Sequence, residues 1–202
     1  MNGRNQAQPA RTSANGHAEG FAGDPIAVLE DDHELQLSLC SVLEEIADSL
    51  PHALDRRLTQ TALGVLTVNW PAHVSLEEQC LFPLLRRRSD GDTTLKRMLE
   101  RLQSEHAGDE DCACEIEATL GTIVAGDRIQ NPEMLGFMLR GFFESQRRHI
   151  GWENAVLLPI ARQRLIDDDL AEMRAWIAFN AHDQLIQRSQ EMLARLERGA
   201  FG

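Results

Sequence analysis

The stretch that decides the fold of this chain is His149–Pro159, which reads H-I-G-W-E-N-A-V-L-L-P. An earlier stretch, His73–Pro83, reads H-V-S-L-E-E-Q-C-L-F-P and follows the same template. The template is His, three residues, Glu, three residues, Leu, an apolar residue and Pro. Four residues turn an α-helix by about 400°, so the His and the Glu lie on one helix face, one turn apart. The sequence therefore places an imidazole beside a carboxylate on two separate helices.

Helical periodicity extends outward from both stretches. Apolar residues recur at spacings of three and four along the chain, which predicts an all-α fold. Turn signals near residues 51, 90 and 129 separate four long helices, and short turns between long helices are typical of an up-down-up-down four-helix bundle. Pro71 and Pro83 fall inside the second helix, which is predicted from about Ala53. Each removes a backbone hydrogen bond, so we expect kinks or a short break there.

This pattern divides the chain into three segments. Residues 1–22 lack periodicity and are rich in Gly, Ala, Asn and Ser, so we predict a disordered N-terminal arm. The four-helix bundle is predicted over residues 23–165. Residues 166–202 contain an additional fifth helix that reaches about Arg198. We expect this C-terminal helix either to pack on the bundle or to form a homodimer contact.

The composition excludes several functional classes. The net charge is −12 and the sequence pI is about 5.0, which argues against nucleic acid or an anionic membrane as a partner. No apolar run approaches the ~18 residues that a membrane-spanning helix needs, and the N-terminus has no apolar segment typical of a secretory signal. The four cysteines are too few and too dispersed for a disulfide framework, which indicates reduced thiols in a cytoplasmic protein.

Each predicted bundle helix carries one histidine at a similar depth: His33, His73, His106 and His149. Counted from the turns, their positions along the bundle differ by roughly 2–6 Å at 1.5 Å per residue. Glu77 and Glu153 face the same interior, where a buried charge needs a partner or a metal ion. His52 lies at the first turn and His182 on the additional helix, so we assign neither of them to the site.

The ligand types indicate which metal this interior would hold. Imidazole and carboxylate ligands without thiolate suit iron or manganese better than structural zinc. Two glutamates at one depth on alternate helices can each bridge two metal ions about 3.5–4 Å apart. The residues alone therefore predict a site for two iron ions in the core of a helical bundle.

At these residues the chain resembles the hemerythrin family, and more closely its bacterial branch of HHE cation-binding proteins. The resemblance covers about residues 24–164. It implies a four-helix bundle that holds two iron ions (Fe2+/Fe3+) joined by an oxo or hydroxo bridge, manganese or zinc being less expected. Carried over residue by residue, it implies that His33 and His73 bind one iron and that His106 and His149 bind the other. The resemblance further implies that Glu77 and Glu153 bridge the two irons.

The third helix departs from the pattern of animal hemerythrins. They have H-x-x-x-H there, whereas here His106 is followed four residues later by Glu110. The fourth helix differs too, since a Glu follows His149 after four residues instead of an Asp after five. Glu110 faces the right way to replace the missing imidazole, so we predict it as a further ligand, with a solvated ion pair as the alternative. A third carboxylate would favour ferric iron and lower the reduction potential, which counts against reversible oxygen carriage.

Three functions are consistent with such a site. The first is a binding protein that takes up O2 or NO, or that senses or handles iron. The second is a di-iron oxidoreductase with ferroxidase, peroxidase or NO-reducing activity. The third is an iron donor for iron–sulfur cluster repair, but relatives in that role usually carry a cysteine-bearing N-terminal segment, and residues 1–32 contain no cysteine. We favour the first function and assign no catalytic residue.

Overall fold

The computed structural model describes residues 21–52 and 54–199. The regular elements of this part of the chain are all helical: α1 Pro25–Ser49, α2 Arg56–Leu76, α3 Phe82–Arg87, α4 Thr93–Ala125, α5 Pro132–Trp152, α6 Leu158–Arg164, α7 Asp167–Asn180 and α8 His182–Gly199. Two π-helical segments, Glu77–Leu81 and Glu153–Leu157, join α2 to α3 and α5 to α6. The predicted all-α fold is confirmed. Apart from positions 21 and 22, the predicted N-terminal arm lies outside the described residues.

Four helical rods form the bundle: α1, α2 with α3, α4, and α5 with α6. The rod α1 packs against α2 and α5, and α4 packs against the same two neighbours. Rods α1 and α4 therefore lie diagonally across the bundle. Their apolar faces meet in one continuous core, whose fully buried members include Leu29, Leu43, Leu66, Leu99 and Leu139. Burial of these faces is the main favourable contribution to folding.

The bundle helices begin at polar side chains that cap their first turns. The side chain of each capping residue accepts a hydrogen bond from a backbone N–H in the first turn of the helix that follows. The capping residues are Asp24, Asp55, Asp92 and Asn131. Capping of this kind satisfies backbone donors that have no partner inside the helix. The second helix starts at Arg56, later than the predicted start near Ala53, because the cap is Asp55.

The predicted break in the second helix occurs as a π-helical turn. The helix continues through Pro71 as regular α-helix and widens only at Glu77–Leu81. There the N–H of Phe82 bonds to the carbonyl of Glu77, five residues earlier. Pro83 has no N–H for the usual carbonyl four residues earlier, and the widened turn accommodates this loss. The second template contains the same π-helical turn, in which the N–H of Leu158, just before Pro159, bonds to the carbonyl of Glu153.

The C-terminal region departs from the prediction of one fifth helix. Ala181 adopts a left-handed conformation, with φ of 50° and ψ of 36°, and divides this region into α7 and α8. The prediction of one helix was wrong because alanine is the strongest helix former, so nothing in the local sequence marks a break there. Helix α8 packs against α1 and α2 of the bundle. No helix in the described residues is both long and apolar enough to span a membrane.

Candidate metal centre

The two templates and the two isolated histidines meet in the middle of the bundle. Each of the four rods contributes one buried histidine, and each π-helical segment begins with a buried glutamate. The π-helical turns thus occur at the points where the chain brings a carboxylate into the core. We refer to these residues as the six-residue cluster: His33, His73, Glu77, His106, His149 and Glu153.

One half of the cluster, the first half-site, contains His33 and His73. Nε2 of His33 lies 3.2 Å from Oε2 of Glu153. Nε2 of His73 lies 3.5 Å from Oε2 of Glu77. The two imidazole rings meet edge to face, with centroids 5.0 Å apart. One ligand atom from each of these four residues lies within 4.8 Å of the others.

The other half, the second half-site, contains His106 and His149. Nε2 of His106 lies 3.3 Å from Oε2 of Glu77, and Nε2 of His149 lies 3.1 Å from Oε1 of Glu153. Both glutamates therefore face both half-sites. Nitrogen and oxygen ligands lie about 2.0–2.2 Å from a divalent transition metal, so two ligands at a right angle lie about 3 Å apart. The observed spacing between these atoms is close to that value.

Five buried polar atoms at the centre have no hydrogen-bond partner in the described part of the chain. These atoms include all four carboxylate oxygens of Glu77 and Glu153, together with Nε2 of His33. Leaving such atoms unpaired inside a protein destabilises the folded state, and the cost is largest for charged groups. Metal ions between the imidazoles and the carboxylates would satisfy them. The donor set therefore fits a two-metal centre.

The pKa values of the cluster reflect strong coupling between imidazole and carboxylate. Burial alone lowers the pKa of His149, but the contact with Glu153, the nearby charge of Glu77 and the contact with Glu105 outweigh burial and raise it to about 9. The pKa values of His33 and His106 are likewise raised by neighbouring glutamates against the effect of burial. The pKa of Glu153 is held well below its usual range, because the contacts from His149 and His33 outweigh its burial. These shifts reflect the electrostatic attraction between the buried imidazoles and carboxylates, which a metal ion between them would also satisfy.

The outward ring nitrogen of each histidine also has a polar neighbour. Nδ1 of His33 lies 2.6 Å from Oδ1 of Asn154. In the same half-site, Nδ1 of His73 lies 3.4 Å from Oδ2 of Asp32. A partner on Nδ1 fixes the tautomer and the ring orientation, leaving Nε2 free to bind a metal.

The second half-site repeats this arrangement with residues from the other two rods. Nδ1 of His106 lies 2.9 Å from Oε1 of Glu78, and Nδ1 of His149 lies 3.1 Å from Oε2 of Glu105. In both half-sites, the residue directly before one histidine and the residue directly after one glutamate supply the partners. The centre thus has an approximate two-fold arrangement that exchanges the α1–α2 pair with the α4–α5 pair.

Sequence reasoning missed these four partners. The side chain of Glu105 is 35% exposed, yet its carboxylate contacts His149 on the neighbouring rod. A residue next to a ligand points about 100° away around the helix, towards the adjacent rod. The signal was present in the sequence, since an acidic residue precedes both His33 and His106. Glu34, which directly follows His33, is exposed.

The structure does not bring Glu110 into the six-residue cluster, although we predicted it as a ligand. Its side chain is exposed on α4, and Asp109 is the buried carboxylate instead. Buried positions on α4 alternate in steps of four and three, so the step after His106 is three residues. Asp109 accepts a hydrogen bond from Nε2 of Gln146 at 2.7 Å, and Gln146 accepts one from Nε1 of Trp70. This polar chain lies one turn from the cluster.

The cysteines do not contribute to the cluster. Cys40 and Cys80 are buried, and burial raises the pKa of each thiol to about 12. Both thiols therefore stay protonated at neutral pH, and a thiolate is the form that binds metals.

The ring of Phe82 is stacked on His106, with centroids 5.9 Å apart, and gives this side of the centre an apolar wall.

Comparison with known proteins gave one finding. A family model described as the hemerythrin HHE cation-binding domain matches residues 24–161. The matched segment contains the complete six-residue cluster and the four bundle rods as far as the middle of α6, whereas α7 and α8 lie beyond it. Neither the curated proteins nor the solved structures gave a match.

Proposed function

This chain belongs to the hemerythrin HHE cation-binding family, and from that premise we propose that it holds two iron ions and binds O2 or NO. The observation that carries the proposal is the set of unpaired buried oxygens on Glu77 and Glu153, which face four imidazole nitrogens. A buried cluster of this composition has no role in hydrophobic packing. It is the type of site with which helical bundles hold pairs of metal ions.

Each member of the cluster has a specific role in this proposal. His33 and His73 bind one ion, and His106 and His149 bind the other. Glu77 and Glu153 would hold both ions, since their carboxylates contact both half-sites. Each ion then has two nitrogen and two oxygen ligands from the protein. Four protein ligands are fewer than the six of an octahedral ion, which leaves positions for small molecules.

Ferrous iron supplies the affinity for a diatomic ligand, and the protein controls access and orientation. The outward partners Asn154, Asp32, Glu78 and Glu105 hold the imidazole rings in place. Apolar side chains next to the cluster in sequence, Leu76, Leu81 and Leu157, are fully buried. Such surroundings exclude water and favour a small, weakly polar ligand over ions.

Elemental analysis of the purified protein tests this proposal. We expect close to two irons per chain after anaerobic loading with Fe2+, and a reversible change in absorption when O2 or NO is admitted and then removed. One zinc per chain, or no iron after loading, would show that the cluster is not a two-iron centre. Two irons without any response to either gas would contradict the binding function but leave the metal centre intact.

A di-iron oxidoreductase is the second candidate, and one observation favours it. Three of the four histidines have a carboxylate near Nδ1, namely Asp32, Glu78 and Glu105. Carboxylates in this position make the imidazole a stronger electron donor, which favours ferric iron. Exposing the ferrous protein to limiting O2 separates the two functions. Irreversible oxidation with consumption of O2 indicates an oxidoreductase, whereas recovery of the ferrous protein after the gas is removed indicates a carrier or sensor.

A further inference from the structure

Helix α8 places a buried histidine beside the metal centre although it lies beyond the segment that matches the family. His182 is the first residue of α8, and only 1% of its surface is exposed. Its Nε2 atom donates a hydrogen bond to Oδ2 of Asp32 on α1. A buried imidazole paired with a buried carboxylate is costly to desolvate and is not explained by apolar packing alone.

The same carboxylate oxygen connects His182 to a ligand of the first half-site. Oδ2 of Asp32 also lies 3.4 Å from Nδ1 of His73. Nε2 of His73, on the other side of the ring, lies 3.5 Å from Glu77. A continuous series of polar contacts therefore runs from α8 through α1 to a metal ligand on α2. The His182 donor on α8 and the imidazole of His73 therefore meet at the same carboxylate oxygen of Asp32.

The backbone before His182 is strained in the conformation that delivers this contact. Ala181 has a positive φ of 50°, in the left-handed region that residues with a Cβ seldom adopt. Strained residues persist only where the surrounding structure holds them, and they occur frequently at functional sites. Trp176 on α7 packs near the imidazole, with ring centroids 6.2 Å apart. The turn between α7 and α8 thus directs His182 into the interior.

Among the residues that the structure describes, the second half-site has no equivalent of this contact. Glu105 corresponds to Asp32 in the approximate two-fold arrangement, and its other partner is Arg101 at 2.7 Å. Arg101 is 76% exposed and lies on the same helix as Glu105. An exposed pair of this kind adds little, because water and salt screen it. In the described part of the chain, only the first half-site is therefore connected to the C-terminal helix.

We propose that His182 is a positioning residue that links the C-terminal helix to the first half-site through Asp32. Metal in that half-site and packing of α8 on the bundle then stabilise each other, since coupling between two equilibria is reciprocal. This inference rests on the metal centre of the proposed function. It adds that retention of the iron in the first half-site depends on α8, a helix outside the matched domain, whereas retention of the other iron does not.

The test compares iron release and amide exchange in the full-length protein. The variants are His182→Ala, His182→Gln, which retains an N–H donor, and Ser189→Ala. Ser189 is a matched control, because its hydroxyl donates a hydrogen bond from α8 to Asn69 on α2 without touching Asp32. Each protein is loaded anaerobically with Fe2+, and release to a chromogenic ferrous chelator is followed over time. Hydrogen exchange of α8 amides is measured with and without iron.

We expect His182→Ala to release one of its two irons about tenfold faster than the wild type, at the lower end of effects from residues that orient ligands. His182→Gln should stay within about threefold of the wild type, and Ser189→Ala within about twofold. Iron should slow amide exchange in α8 of the wild type, a measurement that needs no variant, and should do so much less in His182→Ala.

Three results would overturn the inference while leaving the metal centre established. The first is release of both irons from His182→Ala at the wild-type rate. The second is equal acceleration in Ser189→Ala, which would indicate general loosening of α8. The third is α8 exchange in the wild type that does not respond to iron. Failure of the wild-type protein to bind iron would instead overturn the proposed function, and this inference with it.

Discussion

Oε2 of Glu105 lies 3.1 Å from Nδ1 of His149, so a residue next to one cluster histidine on α4 contacts another cluster histidine on α5. This contact crosses between two rods that are adjacent in the bundle. It fixes the relative rotation of the two helices as well as the tautomer of the histidine. The arrangement of the centre therefore depends on residues that bind no metal themselves.

Replacing Glu105 by Ala should weaken metal binding about 10- to 100-fold, because His149 loses the partner that orients it. Chelator competition against the iron-loaded protein measures this change. Glu34→Ala is the matched control, since Glu34 also lies next to a cluster histidine but is exposed. Equal affinities in the two variants would show that the contact with His149 does not matter for binding.

His73→Ala and His149→Ala should each abolish binding of two irons. Each removes one nitrogen from a half-site and leaves a buried carboxylate without its partner. Iron per chain is measured after anaerobic loading and desalting. His52→Ala changes an exposed histidine at the first turn and should keep two irons. Two irons retained in either cluster variant would contradict the ligand assignment.

Glu110→Ala should retain two irons, whereas Glu153→Ala should not. Glu110 is exposed on α4, while Glu153 is fully buried and faces both half-sites. The comparison uses iron content and the absorption spectrum of the oxidised protein. Loss of one iron from Glu110→Ala would restore this residue as a ligand and would require α4 to rotate on metal binding.

Asp169→Asn should lower the free energy of unfolding by about 2–3 kcal/mol at neutral pH, because Asp169 is buried and accepts hydrogen bonds from Arg87 and Arg88. Hydrogen bonding to Arg88, the largest cause, holds the pKa of Asp169 well below its usual range despite burial. A lowered pKa contributes stability above the unfolded value near 4, and this contribution is lost as the pH falls towards the lower folded value.

Chemical denaturation of both proteins between pH 7 and pH 3 checks this prediction. The difference between the wild type and Asp169→Asn should be largest at neutral pH and should shrink below about pH 4. Asp168→Asn changes an exposed neighbour in the same helical turn and should alter stability by less than about 1 kcal/mol. A difference that stays constant with pH would rule out the ionised Asp169 as its source.

Alkylation of the native protein should modify Cys114 first. Cys114 is exposed, whereas Cys40 and Cys80 are buried with thiol pKa values raised to about 12 by burial. Only the thiolate reacts, so Cys40 and Cys80 should be modified only after the protein has unfolded. Mass spectrometry of the labelled peptides follows the order of modification. Rapid labelling of Cys80 in the folded protein would indicate that the π-helical segment opens.

The sequence by itself determined the helices and the faces on which the cluster residues lie. Helical periodicity is local, so spacing of three and four residues identifies which side chains share a face. The repeated template located Glu77 and Glu153, and the turns placed the four histidines at one depth. These inferences need only the geometry of one helix and the lengths of its neighbours.

The tertiary structure alone decided how the rods are rotated against one another. That rotation put Asp109 rather than Glu110 in the interior and brought Glu105 to His149. It also placed His182 against Asp32, across 150 positions of sequence. Contacts of this kind depend on the packing of several helices at once. Neighbouring residues on a helix point about 100° apart, so the rotation of the helix decides which of them faces the interior. Local spacing cannot determine this rotation, because neighbouring positions such as Asp109 and Glu110 have similar helix propensities. They differ only in which side chains pack against them.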